Sequence, residues 1–177
     1  MDYLKYRIDL SECEDKLKTL EDLDDNTLIL SFTIPGRPAT KKTNQRVIRR
    51  GRLTRILPSI QYENYEKSCK ELCESVWRNI GYPPIDCGIS ICCKITLNNW
   101  IIGDESNYYQ SFGDLIQTHG ILNDDIWIHW VDNGGHSITE PDKENPKVEI
   151  EIKRYRHPKE KFRDGKRLKE AKKKKNE

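Results

Sequence analysis

Apolar and polar residues alternate along three short stretches of the chain, and this period of two is typical of β-strands with one buried face. Residues 28–36 predict the first strand, residues 126–132 a middle one and residues 147–155 the last. Residues 86–98 are more uniformly apolar, a composition that fits either a buried strand or an edge strand.

Two other stretches follow the period of an amphipathic helix. The first begins after Ser59, a residue type that caps helix N-termini, and ends at Gly81 and a Pro-Pro pair. Its apolar stripe consists of Tyr62, Tyr65, Cys69, Leu72, Cys73, Val76 and Trp77. Residues 105–119 predict a second helix, and the acidic stretch 9–25 predicts a shorter one. Together the elements predict a single α+β domain with a mixed β-sheet and two or more helices.

Residues 37–57 are basic and contain few apolar side chains. They fit either an irregular hairpin that turns at Arg50-Gly51 or a mobile loop. Cations without nearby acids repel each other unless an anion is present, so we expect this segment to contact phosphates. The candidate residues for these contacts are Arg37, Lys41, Lys42, Arg46, Arg49, Arg50, Arg52 and Arg55.

Charge is distributed unevenly, although the 177 residues carry a net charge of only +2. Residues 37–57 hold 8 basic and no acidic side chains, whereas residues 58–152 hold 6 basic and 16 acidic ones. Residues 1–26 read as an acidic N-terminal extension, and residues 156–177 as a basic tail, disordered or weakly helical. Basic blocks around an acidic body favour a polyanionic partner and a separate use for the carboxylates.

The same composition argues against several classes of protein. No apolar run approaches the ~20 residues of a transmembrane helix, so we expect no membrane partner. The first residues lack the apolar core of a signal peptide. The six cysteines include no Cys-x-x-Cys pair, and we expect free thiols in a reducing cytoplasm.

A polar face on the second predicted helix is the first part of the candidate site. Asp104 precedes this helix, and Asn107, Gln110 and Asp114 follow at spacings that place them on one face. From spacing alone, Asp104 fits a metal ligand or an ordinary helix cap.

The second part is the pair Asp124 and Asp125, directly before strand 126–132. This pair fits either an ordinary turn or further ligands in the same cleft as Asp104 and Asp114. Clustered carboxylates repel each other unless a cation neutralises them, and Mg²⁺ prefers such oxygen ligands.

The order of these features resembles the RusA-type Holliday junction resolvases, small phage-associated endonucleases. A strand ends in IPGRPATKK, a helix begins with PSIQYENYEKSCK, the carboxylates follow, and PKVEIEI closes the domain. The resemblance covers residues 27–155 and implies a RusA-like nuclease domain there. It further implies Mg²⁺-dependent hydrolysis, with Mn²⁺ as a substitute, of Holliday junctions or other branched DNA in recombination and repair. It also implies that the eight basic residues of segment 37–57 bind DNA, and that the protein is a homodimer in a bacterial or phage-infected cell.

Carried over by position, the family's metal-binding carboxylates match Asp104 and Asp125. Its structural Asp positions match Asp114 and Asp124, of which Asp124 is also a candidate ligand, and its Asn matches Asn107. Two catalytic positions depart from the family pattern, because Ser106 replaces an Asp and Gln110 replaces a Lys. The cleft therefore lacks one ligand and one cation that would stabilise developing charge.

Three functions follow as expectations. The first is a RusA-like nuclease that uses Asp104, Ser106, Gln110 and Asp125. The second is an impaired relative that binds branched DNA without cutting it. The third is an RNA-binding or protein-interaction module that uses the basic tail.

A rival nuclease pattern and two histidines complete the candidate chemistry. Pro141-Asp142 with Glu151 and Lys153 matches the PD-(D/E)xK pattern, although an alternating solvent-exposed strand face explains the last two equally well. We expect a structural role for His129, and His136 lies in a turn that fits a phosphate contact.

Overall fold

The structure of the chain, a computed structural model, describes residues 2–100, 103–132 and 137–163. In chain order the elements are β1 (Leu4–Arg7), α1 (Lys16–Asp22), β2 (Leu28–Pro35), β3 (Arg46–Arg50), β4 (Leu53–Leu57), α2 (Ile60–Val76), β5 (Ile89–Thr96), α3 (Glu105–Thr118), β6 (Ile128–Val131) and β7 (Lys147–Arg154). A 3-10 turn, Arg78–Ile80, follows α2, and a second 3-10 turn, Asp125–Trp127, precedes β6.

Five strands form the main sheet in the order β1-β2-β7-β5-β6. Strands β5 and β6 are parallel and α3 connects them, while all other neighbours in this sheet are antiparallel. The prediction of a single α+β domain with a mixed sheet and two or more helices is therefore confirmed.

The core lies between one face of this sheet and the apolar stripes of α2 and α3. Phe32, Ile91 and Ile150 extend into it from three neighbouring strands and are each at most 1% exposed. The opposite sheet face is polar, and Glu149 there forms ion pairs with Lys5 and Lys94. One solvent-exposed face and one buried face explain why apolar and polar residues alternate with a period of two along these strands.

The predicted first long helix is confirmed at its N-terminus, but α2 ends at Val76, and Gly81 follows a separate 3-10 turn instead of α2 itself. Ser59 caps α2, because its hydroxyl accepts a hydrogen bond from the Tyr62 amide at 3.0 Å. The Arg78–Ile80 turn that follows α2 ends at Gly81, whose left-handed φ of 81° suits glycine.

Strand β6 begins at Ile128, two residues later than predicted. The preceding residues form the Asp125–Trp127 turn, in which Trp127 is buried and Ile126 is 45% exposed. The alternation that predicted a strand from residue 126 is therefore wrong for the first two positions, because a 3-10 turn has a different period.

The basic segment 37–57 contains the hairpin rather than a mobile loop. Strands β3 and β4 form a separate two-stranded antiparallel sheet, and Arg50 pairs with Leu53 next to the turn. Gly51 in this turn has a φ of 58°, a conformation that costs glycine little.

The N-terminal segment is part of the same domain. Strand β1 pairs with β2 at the edge of the main sheet, and Leu10 and Leu20 are each at most 1% exposed. Residues 2–26, predicted as an extension, therefore contribute a strand and core residues to the domain.

The chain after β7 docks on the start of β5. Arg154, which is 3% exposed, donates to the Gly88 carbonyl at 2.8 Å and to both carboxylate oxygens of Glu160. The first part of the predicted basic tail is therefore fixed, while residues 164–177 lie outside the described residues.

Two further expectations concern cysteines and membrane helices. All six cysteines carry free thiols in the structure, and Cys69, Cys73, Cys87 and Cys93 are buried. Among the described residues, no helix is both long and apolar enough to span a membrane.

Candidate functional site

A pocket between α3 and β6 brings together three of the predicted site residues. Ser106, Gln110 and Asp125 line this cavity of about 240 Å³. The remaining lining residues are Tyr109, Gly113, Ile128 and Trp130. The two positions that depart from the resolvase pattern therefore face the same space as a candidate carboxylate.

The turn that carries Asp124 and Asp125 is fixed by hydrogen bonds to Asp86. The Asp86 carboxylate accepts from the side-chain nitrogens of Asn123 and Trp127, each at 3.1 Å. Asp124 caps the turn by accepting from the Ile126 amide at 3.1 Å. Asp124 therefore shapes the turn, while Asp125 is exposed and lines the pocket.

Aromatic side chains form the pocket wall opposite this turn. The Tyr109 ring stacks on Trp130, with ring centres 5.0 Å apart and planes inclined by 17°. The Tyr109 hydroxyl hydrogen-bonds to the Ser137 hydroxyl, and burial raises the pKa of Tyr109. This wall is preformed, because stacking and a hydrogen bond both hold it in place.

Glu105 is occupied elsewhere and does not replace the missing acid at position 106. Its carboxylate accepts from the Ser137 and Ile138 amides at 3.0 and 3.3 Å. Glu105 thus ties the start of α3 to the segment that follows β6.

Asp104 acts as the N-cap of α3, with its carboxylate accepting from the Ser106 amide at 3.0 Å. It does not line the pocket with Asp125. The Asn107 backbone carbonyl accepts from the Ser111 hydroxyl at 2.8 Å, and Asn107 does not line the pocket.

Asp114 faces the basic segment rather than the pocket. Its carboxylate accepts from the Lys41 ammonium at 2.7 Å, and the Lys41 amide donates to Ser111 at 2.8 Å. Of the face predicted from Asn107, Gln110 and Asp114, only Gln110 lines the pocket, while Asp114 pairs with Lys41.

The pocket does not form a ready-made magnesium site. No group of three or more Asp, Glu, His or Cys side chains is placed to hold a metal ion anywhere in the described ranges. The pocket supplies one carboxylate, one hydroxyl and one amide, whereas Mg²⁺ prefers carboxylate oxygens in an octahedral arrangement. Ser106 stands where a second carboxylate ligand would be needed, so the residues of this pocket do not fit Mg²⁺ or Mn²⁺ well. The metal cofactor stays a prediction.

The predicted DNA-binding residues divide into anchors and free cations. Arg46 is an anchor, since its guanidinium contacts the Pro58 carbonyl at 2.9 Å and the Glu63 carboxylate at 2.5 Å. Lys41 is a second anchor through Asp114. The cations that are exposed and form no ion pair with another described residue are Arg37, Lys42, Arg49, Arg50, Arg52 and Arg55.

The residues of the rival nuclease pattern do not share one site. Asp142 accepts from the amides of Glu144 and Asn145 in a turn, and these bonds hold its pKa below the ordinary value. Glu151 and Lys153 form an ion pair at 3.0 Å on the polar face of the main sheet. The solvent-exposed strand face accounts for both.

Two histidines complete the list of predicted residues. His129 lies on β6 with its ring stacked on Tyr155 at 4.4 Å between centres, which fits the structural role predicted for it. His136 lies outside the described residues.

Sequence reasoning missed Tyr109, Gly113, Trp130 and Asp86. Helical spacing contains part of the signal, because Ser106, Gln110 and Gly113 follow the i, i+4, i+7 pattern of one face. The contact with Asp86 had no such signal, since it joins positions 37 and 41 residues apart.

No protein-family model matches the chain, and no curated protein matches it either. The resemblance to RusA-type resolvases therefore depends on the order and spacing of the residues in this chain alone.

Proposed function

We propose that this protein binds branched DNA as a RusA-like protein and cuts it poorly or not at all. The observation that carries the proposal is the β3–β4 hairpin, on which Arg49, Arg50, Arg52 and Arg55 are exposed and without acidic partners in the described part of the chain. Free guanidinium groups on a projecting ribbon suit phosphate contacts, which position a protein on DNA without reading its sequence.

The hairpin is held firmly enough to present these cations. Arg46 ties the beginning of β3 to Pro58 and Glu63 at the start of α2, and Lys41 ties the preceding segment to α3. The anchored residues Arg46 and Lys41 hold the hairpin against the domain, and the exposed arginines form a preformed phosphate-binding surface. A preformed surface loses less entropy on binding.

The pocket supports binding without efficient cleavage. Ser106 and Gln110 face Asp125 in the cavity, while Asp104, the other matched carboxylate, caps α3 outside it. The cavity therefore lacks the further acids and the cation of the family pattern. Hydrolysis of a phosphodiester needs charge stabilisation that a hydroxyl and a neutral amide supply only weakly.

A functional nuclease is the second candidate, and the convergence of Ser106, Gln110 and Asp125 favours it. In both cases the proposal includes a homodimer, because a four-way junction presents two-fold symmetric strands. It also places the protein in the cytoplasm of a bacterial or phage-infected cell, where free thiols persist.

The test compares two double variants in binding to a synthetic four-way junction. Arg50→Ala with Arg55→Ala removes two hairpin charges, and Lys67→Ala with Lys70→Ala removes two exposed charges from α2. We expect the hairpin variant to lower the slope of log affinity against log salt by about 1.8, from ~0.9 per phosphate contact. The α2 variant should leave this slope unchanged.

Equal salt slopes for both variants and the unaltered protein would refute the proposal that the hairpin arginines contact DNA phosphates. Full binding by a chain that ends at residue 163 would exclude the third function, in which the basic tail carries the interaction. Loss of all binding in that truncated chain would favour it instead.

A further inference from the structure

The β3–β4 hairpin exposes aliphatic side chains as well as arginines. Leu53 is 67% exposed, Ile56 64%, Val47 59% and Ile48 40%. Four large aliphatic residues exposed within 12 positions form an unusual surface, because soluble proteins normally leave such side chains isolated.

Strand register divides these side chains between the two faces of the hairpin. Ile48 lies opposite Arg55, and Arg50 lies opposite Leu53, so these four share one face. Together with Leu57 they line a concavity of about 380 Å³, which we call the wedge face. Val47 lies opposite Ile56 on the reverse face.

The wedge face alternates aliphatic and cationic side chains, and this alternation limits what it can bind. A second copy would bring further arginines against Arg50 and Arg55, which like-charge repulsion disfavours. A membrane-binding surface separates its apolar side chains from its cations, whereas here each aliphatic residue lies opposite an arginine.

Nucleic acid with unstacked bases offers both kinds of contact at this spacing. Phosphates complement the arginines, and an aliphatic side chain placed between bases replaces the stacking lost at a distorted step. A two-stranded ribbon is also narrow enough to enter a groove.

We propose that Ile48 and Leu53 insert against the bases at the branch point of a DNA junction while Arg50 and Arg55 contact the adjacent phosphates. This inference rests on the proposed function and deepens it, because it gives the hairpin a role in selecting branched over linear DNA. Base stacks at a branch are interrupted where strands exchange between arms, so we expect insertion to cost less there than in a continuous duplex.

The experiment places 2-aminopurine, whose fluorescence rises on unstacking, at the centre of a synthetic four-way junction. Ile48→Ser with Leu53→Ser removes two aliphatic side chains from the wedge face and is called the wedge variant. Val47→Ser with Ile56→Ser is the matched control on the reverse face. We expect the unaltered protein and the control to raise the fluorescence, and the wedge variant to leave it at the level of free DNA. Junction affinity should fall about tenfold for the wedge variant only, and duplex affinity should stay within about twofold for both.

Three results would overturn the inference. If both variants raise the fluorescence as the unaltered protein does, Ile48 and Leu53 do not insert at the branch point, although the proposed function stands. If the wedge variant changes a dimer into a monomer, or alone loses binding to anionic vesicles, the occupant is a second copy or a membrane. If the unaltered protein binds no junction, both proposals fail. Unchanged melting temperatures for the two variants confirm that both are folded.

Discussion

Among the glycines that the structure describes, Gly88 is the one whose added methyl group would come closest to backbone atoms. A Cβ there would lie 2.3 Å from the Tyr155 carbonyl and 2.7 Å from the His157 amide, both backbone atoms. Gly113 in the pocket wall is the matched control, because its Cβ would meet Ile128 and Trp130 at ordinary contact distances of 3.4 and 3.5 Å.

We predict that Gly88→Ala lowers the free energy of unfolding by about 2 kcal/mol or more, since backbone must move to admit the methyl group. Gly113→Ala should be neutral or stabilise α3 by up to about 1 kcal/mol through its helix propensity. Urea titrations measure both. Equal stability of the two variants would contradict the docking of the chain after β7.

Arg46 and Arg50 lie on the same strand but have different surroundings. Arg46→Ala should cost about 1 kcal/mol of folding stability, because it loses the contacts with Pro58 and Glu63. Arg50→Ala should leave stability unchanged and lower the salt slope of DNA binding by about 0.9. Chemical denaturation and salt titration separate the two effects. A reversed pattern would show that Arg46, and not Arg50, contacts the DNA.

At the scale of elements, the segment after β7 is held by a buried ion pair. Burial alone would raise the pKa of Glu160, but hydrogen bonds from Arg154 and the Gly88 amide outweigh it and hold the pKa below the ordinary value of 4.5. The unfolded chain therefore binds this proton more readily than the folded one. The contribution of Glu160 is complete above pH 4.5 and disappears as the pH falls through the lower, folded-state pKa.

We predict that Glu160→Gln flattens the loss of stability below about pH 4.5, because glutamine does not titrate. Glu140→Gln, at an exposed position, is the control and should keep the profile of the unaltered protein. Thermal melts from pH 3 to pH 7 give the measurement. Identical profiles for all three proteins would contradict a depressed pKa at Glu160.

The strands and helices that depend on local pattern were predictable from the sequence. The period of two gave β2 and β7, and the apolar stripe with its Ser59 cap gave α2, since each element buries one regular face. Strand β1 was not predicted, because its four residues carry no clear alternation and depend on pairing with β2. The sequence pattern assigned no partner to Arg154, and only the structure shows that its buried guanidinium bonds to the Gly88 carbonyl and the Glu160 carboxylate.

At the scale of the whole molecule, the two charged regions of the sequence occupy different parts of the fold. The basic segment forms a separate hairpin, while Asp125 lies in a pocket at the edge of the main sheet. Sequence spacing predicted that Asp104, Asp114, Asp124 and Asp125 converge on one cleft, but of these four only Asp125 lines the pocket, together with Ser106 and Gln110. Spacing left open whether Asp104 is a cap and Asp124 a turn residue, and the hydrogen bonds of the folded chain show both roles. The ion pair of Asp114 with Lys41 had no signal in the sequence, because the two positions are 73 residues apart.

Restoring the two departed charges tests the pocket directly. Ser106→Asp with Gln110→Lys should give Mg²⁺-dependent cutting of a four-way junction at least tenfold faster than the unaltered protein, since both an acid and a cation return. Adding Asp125→Asn to this variant should abolish the gain. Denaturing gels of end-labelled junctions provide the readout. Equally fast cutting by the unaltered protein would support the active nuclease instead.

The central claim is that the protein selects branched DNA, and the most direct test is its affinity for a four-way junction against a linear duplex of the same arm sequences. Fluorescence anisotropy at one fixed salt concentration gives both dissociation constants. We predict at least tenfold tighter binding to the junction, or about 1.4 kcal/mol. Equal affinity for the two DNAs, or no binding to either, would contradict the account.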